Sequence, residues 1–167
     1  MYPRNFNYTV ARSVEEACAL LARYGDDGRA LAGGQSLIPL MKLRLASPTH
    51  VIDIGNISGL DSIVDNGAEL RIGALATHAA VLDHPAVRQR WPLIADAVSV
   101  IADPQVRNWG TVGGALAEAD PAGDWGAVAL ALGARVRCMG PHGERFIDAA
   151  SLFVDAYTTQ LANDELI

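Results

Sequence analysis

Apolar residues first recur at helical spacing just after Ser13, where Val14, Ala17, Cys18, Leu20 and Leu21 share one face. Ser13 with Glu16 three positions later forms a capping box, and Gly25 supplies a stop, so the pattern predicts a helix between them. A short apolar run, Ala30 to Ala32, then meets Gly33-Gly34-Gln35-Ser36 and a second apolar stretch, Leu37 to Leu45. That order predicts strand, tight turn and helix, with Ser36 as helix cap and Pro39 inside the first turn, where its missing N–H is tolerated. His50 to Ile54 reads as a buried strand. Leu60–Asp65 and Glu69–Gly73 flank Asn66-Gly67, a strong hairpin signal.

Beyond residue 76 the pattern turns helical. Thr77 can cap a helix running toward His84-Pro85, and Ala86 to Ile101 predicts one or two helices interrupted by Pro92. Thr111-Val112-Gly113-Gly114 is a second Gly-Gly turn, followed by small residues and a helical stretch around Gly123 to Leu132. Arg135–Met139 and Glu144–Asp148 then flank Gly140-Pro141-His142-Gly143, predicting another hairpin. Because strands and helices do not alternate regularly, the expected class is α+β, with an N-terminal subdomain over residues 1–56 and a second over 57–167.

Composition narrows the function. The chain of 167 residues carries a net charge of −6, and Lys42 is the lone lysine among 13 scattered basic residues. A concentrated basic face is missing, which argues against a nucleic-acid partner. No apolar run is long enough to span a bilayer, so any membrane association would be peripheral. The N-terminal residues do not resemble an export signal, and the expected location is the cytoplasm. Cys18 and Cys138 sit in no Cys-x-x-Cys spacing and read as buried small hydrophobes. His50, His78, His84 and His142 show no metal-ligand spacing, so no metal site is expected. Nucleophile elbow, P-loop and Rossmann fingerprints are likewise absent, and no catalytic side chain is assigned.

The remaining chemistry lies in the two Gly-Gly turns. Such a turn can hold a phosphate on backbone amides without a lysine, because glycine lets a ligand approach the main chain. Two of them suit a pyrophosphate. Taken alone, each is more often an ordinary turn or a close packing contact, and Asp120 and Asp124 read as a solvated turn and a helix N-cap.

Three ordered segments carry a resemblance: Ala32-Gly33-Gly34-Gln35-Ser36-Leu37-Ile38-Pro39-Leu40-Met41-Lys42, Ile101-Ala102-Asp103-Pro104-Gln105-Val106-Arg107-Asn108, and Gly110-Thr111-Val112-Gly113-Gly114 through Asp120-Pro121-Ala122-Gly123-Asp124. With Pro3, Phe6 and Tyr8 at the start, they resemble the FAD-binding medium subunits of the molybdenum hydroxylases, the xanthine dehydrogenase and carbon monoxide dehydrogenase family, and most nearly the carbon monoxide dehydrogenase type. The resemblance implies a PCMH-type (vanillyl-alcohol-oxidase-like) FAD-binding fold with two subdomains. It places Leu31, Ala32, Gly33, Gly34, Gln35, Ser36 and Leu37, together with Thr111, Gly113 and Gly114, around the cofactor's pyrophosphate. It sets Ile101 and Ala102 beside the isoalloxazine, Asp124 and more weakly Asp120 at the adenosine part, and Leu161 near the flavin or adenine edge. Ala115 stands where many relatives have Asn, removing one side-chain hydrogen bond.

The same resemblance implies an electron-transfer subunit that passes electrons from [2Fe-2S] clusters through FAD to an external acceptor. Its expected partners are a [2Fe-2S] small subunit and a molybdopterin large subunit in a heterohexamer-like assembly, with the family's separate C-terminal domain absent after residue 167. Two other readings stay open from the residues themselves: a self-sufficient flavin oxidoreductase of this fold, and a redox-silent nucleotide-binding module.

Overall fold

The structure, a computed structural model, describes residues 2–167. Its first lobe is a three-stranded parallel sheet in the order β1-β3-β2, where β1 is Asn7–Val10, β2 is Gly28–Leu31 and β3 is His50–Asp53. Both outer strands pair with β3 in one register, Asn7 and Gly28 each opposite His50. Parallel neighbours need crossover connections, and two helices supply them: α1 (Val14–Tyr24) between β1 and β2, and α2 (Leu37–Leu43) between β2 and β3. At the start of α1 the predicted cap is present. The Ser13 hydroxyl accepts the Glu16 N–H at 3.2 Å, while the Glu16 carboxylate reaches back to the Arg12 N–H at 2.8 Å. Gly25 ends the helix at φ 52°, a conformation suited to glycine.

The Asn66-Gly67 hairpin forms as β4 (Ile63–Asp65) and β5 (Leu70–Ile72). The helical middle is α3 (His78–Asp83), α4 (Pro85–Arg90) and α5 (Pro92–Val100), each proline occupying a first helical turn where no N–H is required. After them come α6 (Pro104–Arg107), α7 (Val112–Glu118) and α8 (Asp124–Ala131). The hairpin of β6 (Arg135–Gly140) and β7 (Gly143–Asp148) closes tightly, with Gly140 paired to Gly143. A short helix α9 (Ala149–Leu152) and the pair β8 (Phe153–Asp155) and β9 (Thr158–Thr159) complete the chain.

Two hydrophobic clusters hold these elements. One gathers Ala17, Cys18 and Leu21 of α1 with Ile52 and Ile54 and is joined by Leu75 and Leu166. The larger packs Val81, Val87, Ile94 and Val98 of the helical middle against Trp125 and Val128 of α8, Cys138 of β6 and Leu152. Both cysteines are buried and free, as their spacing suggested. Among the described residues, no helix is long and apolar enough to cross a membrane, and no cluster of His, Cys, Asp and Glu could hold a metal ion.

The C-terminal residues tie the clusters together. Met139 and Leu166 exchange backbone hydrogen bonds at 2.8 Å, and Asn163 reaches Asp26 of the first lobe. The Arg145 guanidinium grips the Glu165 carboxylate with two hydrogen bonds at 2.7 Å and takes the Gln160 carbonyl at 2.8 Å.

Candidate functional site

The two Gly-Gly turns meet face to face. A β-carbon built on Gly33 would lie 1.8 Å from the Trp109 carbonyl oxygen and 3.2 Å from Gly110 Cα, so the first turn is packed directly on the backbone leading into the second. Gly114 looks back across: its built β-carbon meets Ala32 Cβ at 4.0 Å and, more closely, the Thr111 hydroxyl at 2.7 Å. A third link runs from the Ser36 hydroxyl to the Glu118 carboxylate at 2.5 Å, joining residues 82 positions apart. Glycine is required at Gly33 by close approach and at Gly34 by a φ of 72°.

What distinguishes the first turn is its unused donors. The backbone N–H groups of residues 32–37 donate to no acceptor among the described residues, although most of this segment is only half exposed. Amides left without a protein acceptor are free to bond water or a ligand, and a continuous run of them offers donors that an anion could accept. The carbonyls of the same segment are engaged: Leu31 accepts from Ile54, Gly34 from Ile38 and Ser36 from Leu40.

The second turn does not repeat this arrangement. Val112 and Gly113 donate to the Ala76 and Ala74 carbonyls at 3.0 and 2.8 Å, Gly114 donates to the Thr111 hydroxyl at 3.2 Å, and Ala115 to the Thr111 carbonyl at 3.0 Å. Thr111 is thus a helix N-cap, and its own N–H alone in this turn is left without a protein acceptor. Gly113 is needed because a β-carbon there would sit 2.5 Å from Ala74 Cβ. Its smallness serves packing, and the opening belongs to Gly114.

Two expected caps are corrected. Ser36 does not cap α2: the residue at the third helical position is Pro39, which has no N–H to offer, and the Ile38 N–H is taken by Gly34 at 3.2 Å. The N-cap of α8 is Gly123, with Asp124 as the first helical residue. Asp124 is exposed, and no hydrogen bond joins it to either glycine turn among the described residues. Asp120 accepts the Ala122 N–H at 2.9 Å and stands beside Tyr157, whose hydroxyl pKa is pushed up by the Asp120 charge, then by desolvation and the hydrogen bond to Asp120.

Ile101 and Ala102 form a bend between α5 and α6, and Ala102 holds the left-handed backbone at φ 43°, unusual for a residue with a β-carbon. The Arg107 guanidinium steadies it by donating to both carbonyls, at 2.7 and 3.3 Å. Helix α6 leads straight on to Trp109 and Gly110, so one short helix separates the bend from the second turn. Leu161 packs against the larger hydrophobic cluster, which Ile101 and Ala115 also border.

Behind the second turn lies His78, 5% exposed. Trp125 Nε1 donates to its Nδ1 at 3.0 Å, so the ring is neutral with its proton on Nε2, and a β-carbon on Gly110 would touch that nitrogen at 2.8 Å. Burial, and secondarily the Arg107 charge, hold its pKa below the ordinary value. The unfolded chain therefore binds the proton more readily than the folded one. Stability from this group is complete above about pH 6.5 and declines as the pH falls from there through the folded pKa. Thermal unfolding followed between pH 7.5 and 5 should show this decline in the native chain and a shallower one in His78→Gln. Identical slopes would remove His78 as the cause.

The open amides of residues 32–37 adjoin the second turn, Ala32 Cβ lying 4.0 Å from the point a β-carbon on Gly114 would occupy. The chain matches over residues 4–167 the family described as the FAD binding domain in molybdopterin dehydrogenase, and it belongs to that family. It is 46% identical over 160 residues to the nicotine 6-hydroxylase medium subunit of Paenarthrobacter nicotinovorans, covering 96% of this chain and 56% of that one. With the carbon monoxide dehydrogenase medium chain of Hydrogenophaga pseudoflava it shares 43% over all 167 residues, which make up 58% of that relative. A solved carbon monoxide dehydrogenase from the same organism, lacking the Mo-pyranopterin moiety of its molybdenum cofactor, superposes with a TM-score of 0.98 at 44% identity, covering 100% of this chain and 58% of that one. Quinoline 2-oxidoreductase from Pseudomonas putida 86 gives 0.95 at 33% identity, covering 99% and 58%. The chain thus spans between 56% and 58% of the length of these relatives. The α+β FAD-binding fold and the family read from the motifs are both borne out.

Glu118, Trp109, Ala74 and Arg107 shape the site without having been singled out in the sequence. Each acts through a contact that only the folded chain creates.

Proposed function

We propose that this chain is the FAD-binding portion of a medium subunit in a molybdenum hydroxylase complex of the carbon monoxide dehydrogenase type. The observation that carries the reading is the run of unpartnered amides at residues 32–37, in a turn packed on the backbone that leads to Gly114. The residues that would hold the cofactor's pyrophosphate are Ala32 to Leu37, with the Thr111 N–H. Ile101 and Ala102, held by the Arg107 guanidinium, would border the flavin ring. Bound there, FAD would supply the redox chemistry, linking [2Fe-2S] clusters of a small subunit to an external acceptor.

The protein's own part is to bind, orient and shield. Backbone amides neutralise phosphate charge without adding a mobile side chain, which suits a chain of net charge −6 with one lysine. The relatives' names support partners: a "medium" chain belongs with others, and the sequence offers no cluster-ligating cysteine set, Cys18 and Cys138 both being buried and apart.

The division of labour is testable. Loaded with FAD and free of partner subunits, the protein should be reduced by dithionite, while carbon monoxide, aldehydes and N-heterocycles leave its absorption spectrum unchanged. Bleaching by one of these substrates in the absence of partners would favour a self-sufficient flavin oxidoreductase.

A further inference from the structure

We propose that Glu118 is a positioning residue for the cofactor cradle: by accepting the Ser36 hydroxyl it holds that side chain away from the open amides of residues 32–37 and fastens the first glycine turn to the end of α7. The inference rests on reading those amides as the diphosphate site.

Ser36 is the one hydroxyl within that segment, and a serine next to free N–H groups ordinarily bends back to bond them. That would fill the amides with the protein's own oxygen. Here the usual target does not exist, since Pro39 has no N–H, and Ile38 donates to Gly34 instead. The hydroxyl turns outward and donates to Glu118 at 2.5 Å, a charge-assisted bond stronger than any it could make with a neutral partner. Glu118 is the last residue of α7, the helix capped by Thr111 and carrying Gly114, so the bond is a second tie between the two turns besides the Gly33 and Trp109 contact.

Glu118 has two consequences of opposite sign for an anionic ligand. Its hydrogen bond preserves the open cradle, while its negative charge sits near the phosphates and opposes them. Glutamine separates them, because it still accepts the Ser36 proton and carries no charge.

The experiment is titration of the full chain with FAD, followed by flavin fluorescence, for native protein, Glu118→Gln, Glu118→Ala, Ser36→Ala and the double variant Ser36→Ala with Glu118→Ala. Unfolding temperatures of the FAD-free proteins are measured alongside. Glu118→Ala should bind about tenfold more weakly, equivalent to about 1.4 kcal/mol. Glu118→Gln should bind at least as tightly as native. In the Ser36→Ala background, adding Glu118→Ala should produce no further loss, because its effect is transmitted through Ser36. Native affinity in Glu118→Ala, an equal loss in Glu118→Gln, or the same Glu118→Ala loss with and without Ser36 would each overturn the proposal. Native protein that is folded yet fails to bind FAD would instead overturn the cradle itself, and this inference with it.

Discussion

Gly33→Ala should unfold at a clearly lower temperature than the native protein and bind FAD at least about a hundredfold more weakly, equivalent to about 2.8 kcal/mol. The added carbon would have to occupy a point 1.8 Å from the Trp109 carbonyl oxygen and 2.7 Å from the carbonyl carbon. Both are main-chain atoms, so no rotamer change relieves the contact. One turn must move away from the other. Overpacking of this kind typically costs about 1–3 kcal/mol of stability, and the displaced atoms are those that bring the open amides of residues 32–37 opposite Gly114. Thermal unfolding and FAD titration measure the two effects separately. Native values in both would mean that the turns are not held together at Gly33.

Gly114→Val separates binding from folding. Its β-carbon would press on the Thr111 hydroxyl at 2.7 Å and otherwise point toward Ala32, 4.0 Å away, with no other neighbour within that distance. Disturbing the Thr111 cap costs about 1 kcal/mol, partly offset because valine is a better helix former than glycine. The unliganded fold should therefore lose only a few degrees of stability. Binding should be abolished, since the branched side chain fills the gap between the turns where the phosphates would lie. Gly114→Ala should fall between the two. Retention of native FAD affinity by Gly114→Val would place the diphosphate elsewhere. Gly34→Val is a less clean probe, because Gly34 has a φ of 72° and its β-carbon would meet Ile38 Cδ1 at 2.7 Å, so folding and binding fail together.

The elements read best from the sequence were those built from local signals. Ser13 with Glu16, the Asn66-Gly67 turn and the prolines at 85 and 92 each determine structure within a few residues of themselves, and each stands where it was expected. Asn7–Val10 was not legible as a strand. Its pairing with β3 is a contact 43 residues away, and it adds only one ladder at the sheet's edge. The pair β8 and β9 is too short, and its register too irregular, to leave an alternating pattern.

The glycine turns were legible as chemistry, but their inequality was not. Thr111-Val112-Gly113-Gly114 looks like the equal of the first turn until Ala74 and Ala76 are seen to take the Gly113 and Val112 amides. Ser36 was misread as a cap by the same limitation. Its hydroxyl is decided by Pro39 nearby and Glu118 far away, and only the first of these is visible in local sequence. Family motifs supplied the flavin assignment, which spacing alone left open.

Calorimetric titration of the folded chain with FAD, and in parallel with FMN, asks whether residues 32–37 hold a diphosphate. FMN carries the same flavin with a single phosphate, so it offers the cradle only part of the anion. The expected result is one FAD bound per chain, with FMN at least about a hundredfold weaker, equivalent to about 2.8 kcal/mol. Equal affinity for the two, or no heat of FAD binding from protein that thermal unfolding shows to be folded, would contradict the assignment of residues 32–37 as the diphosphate site.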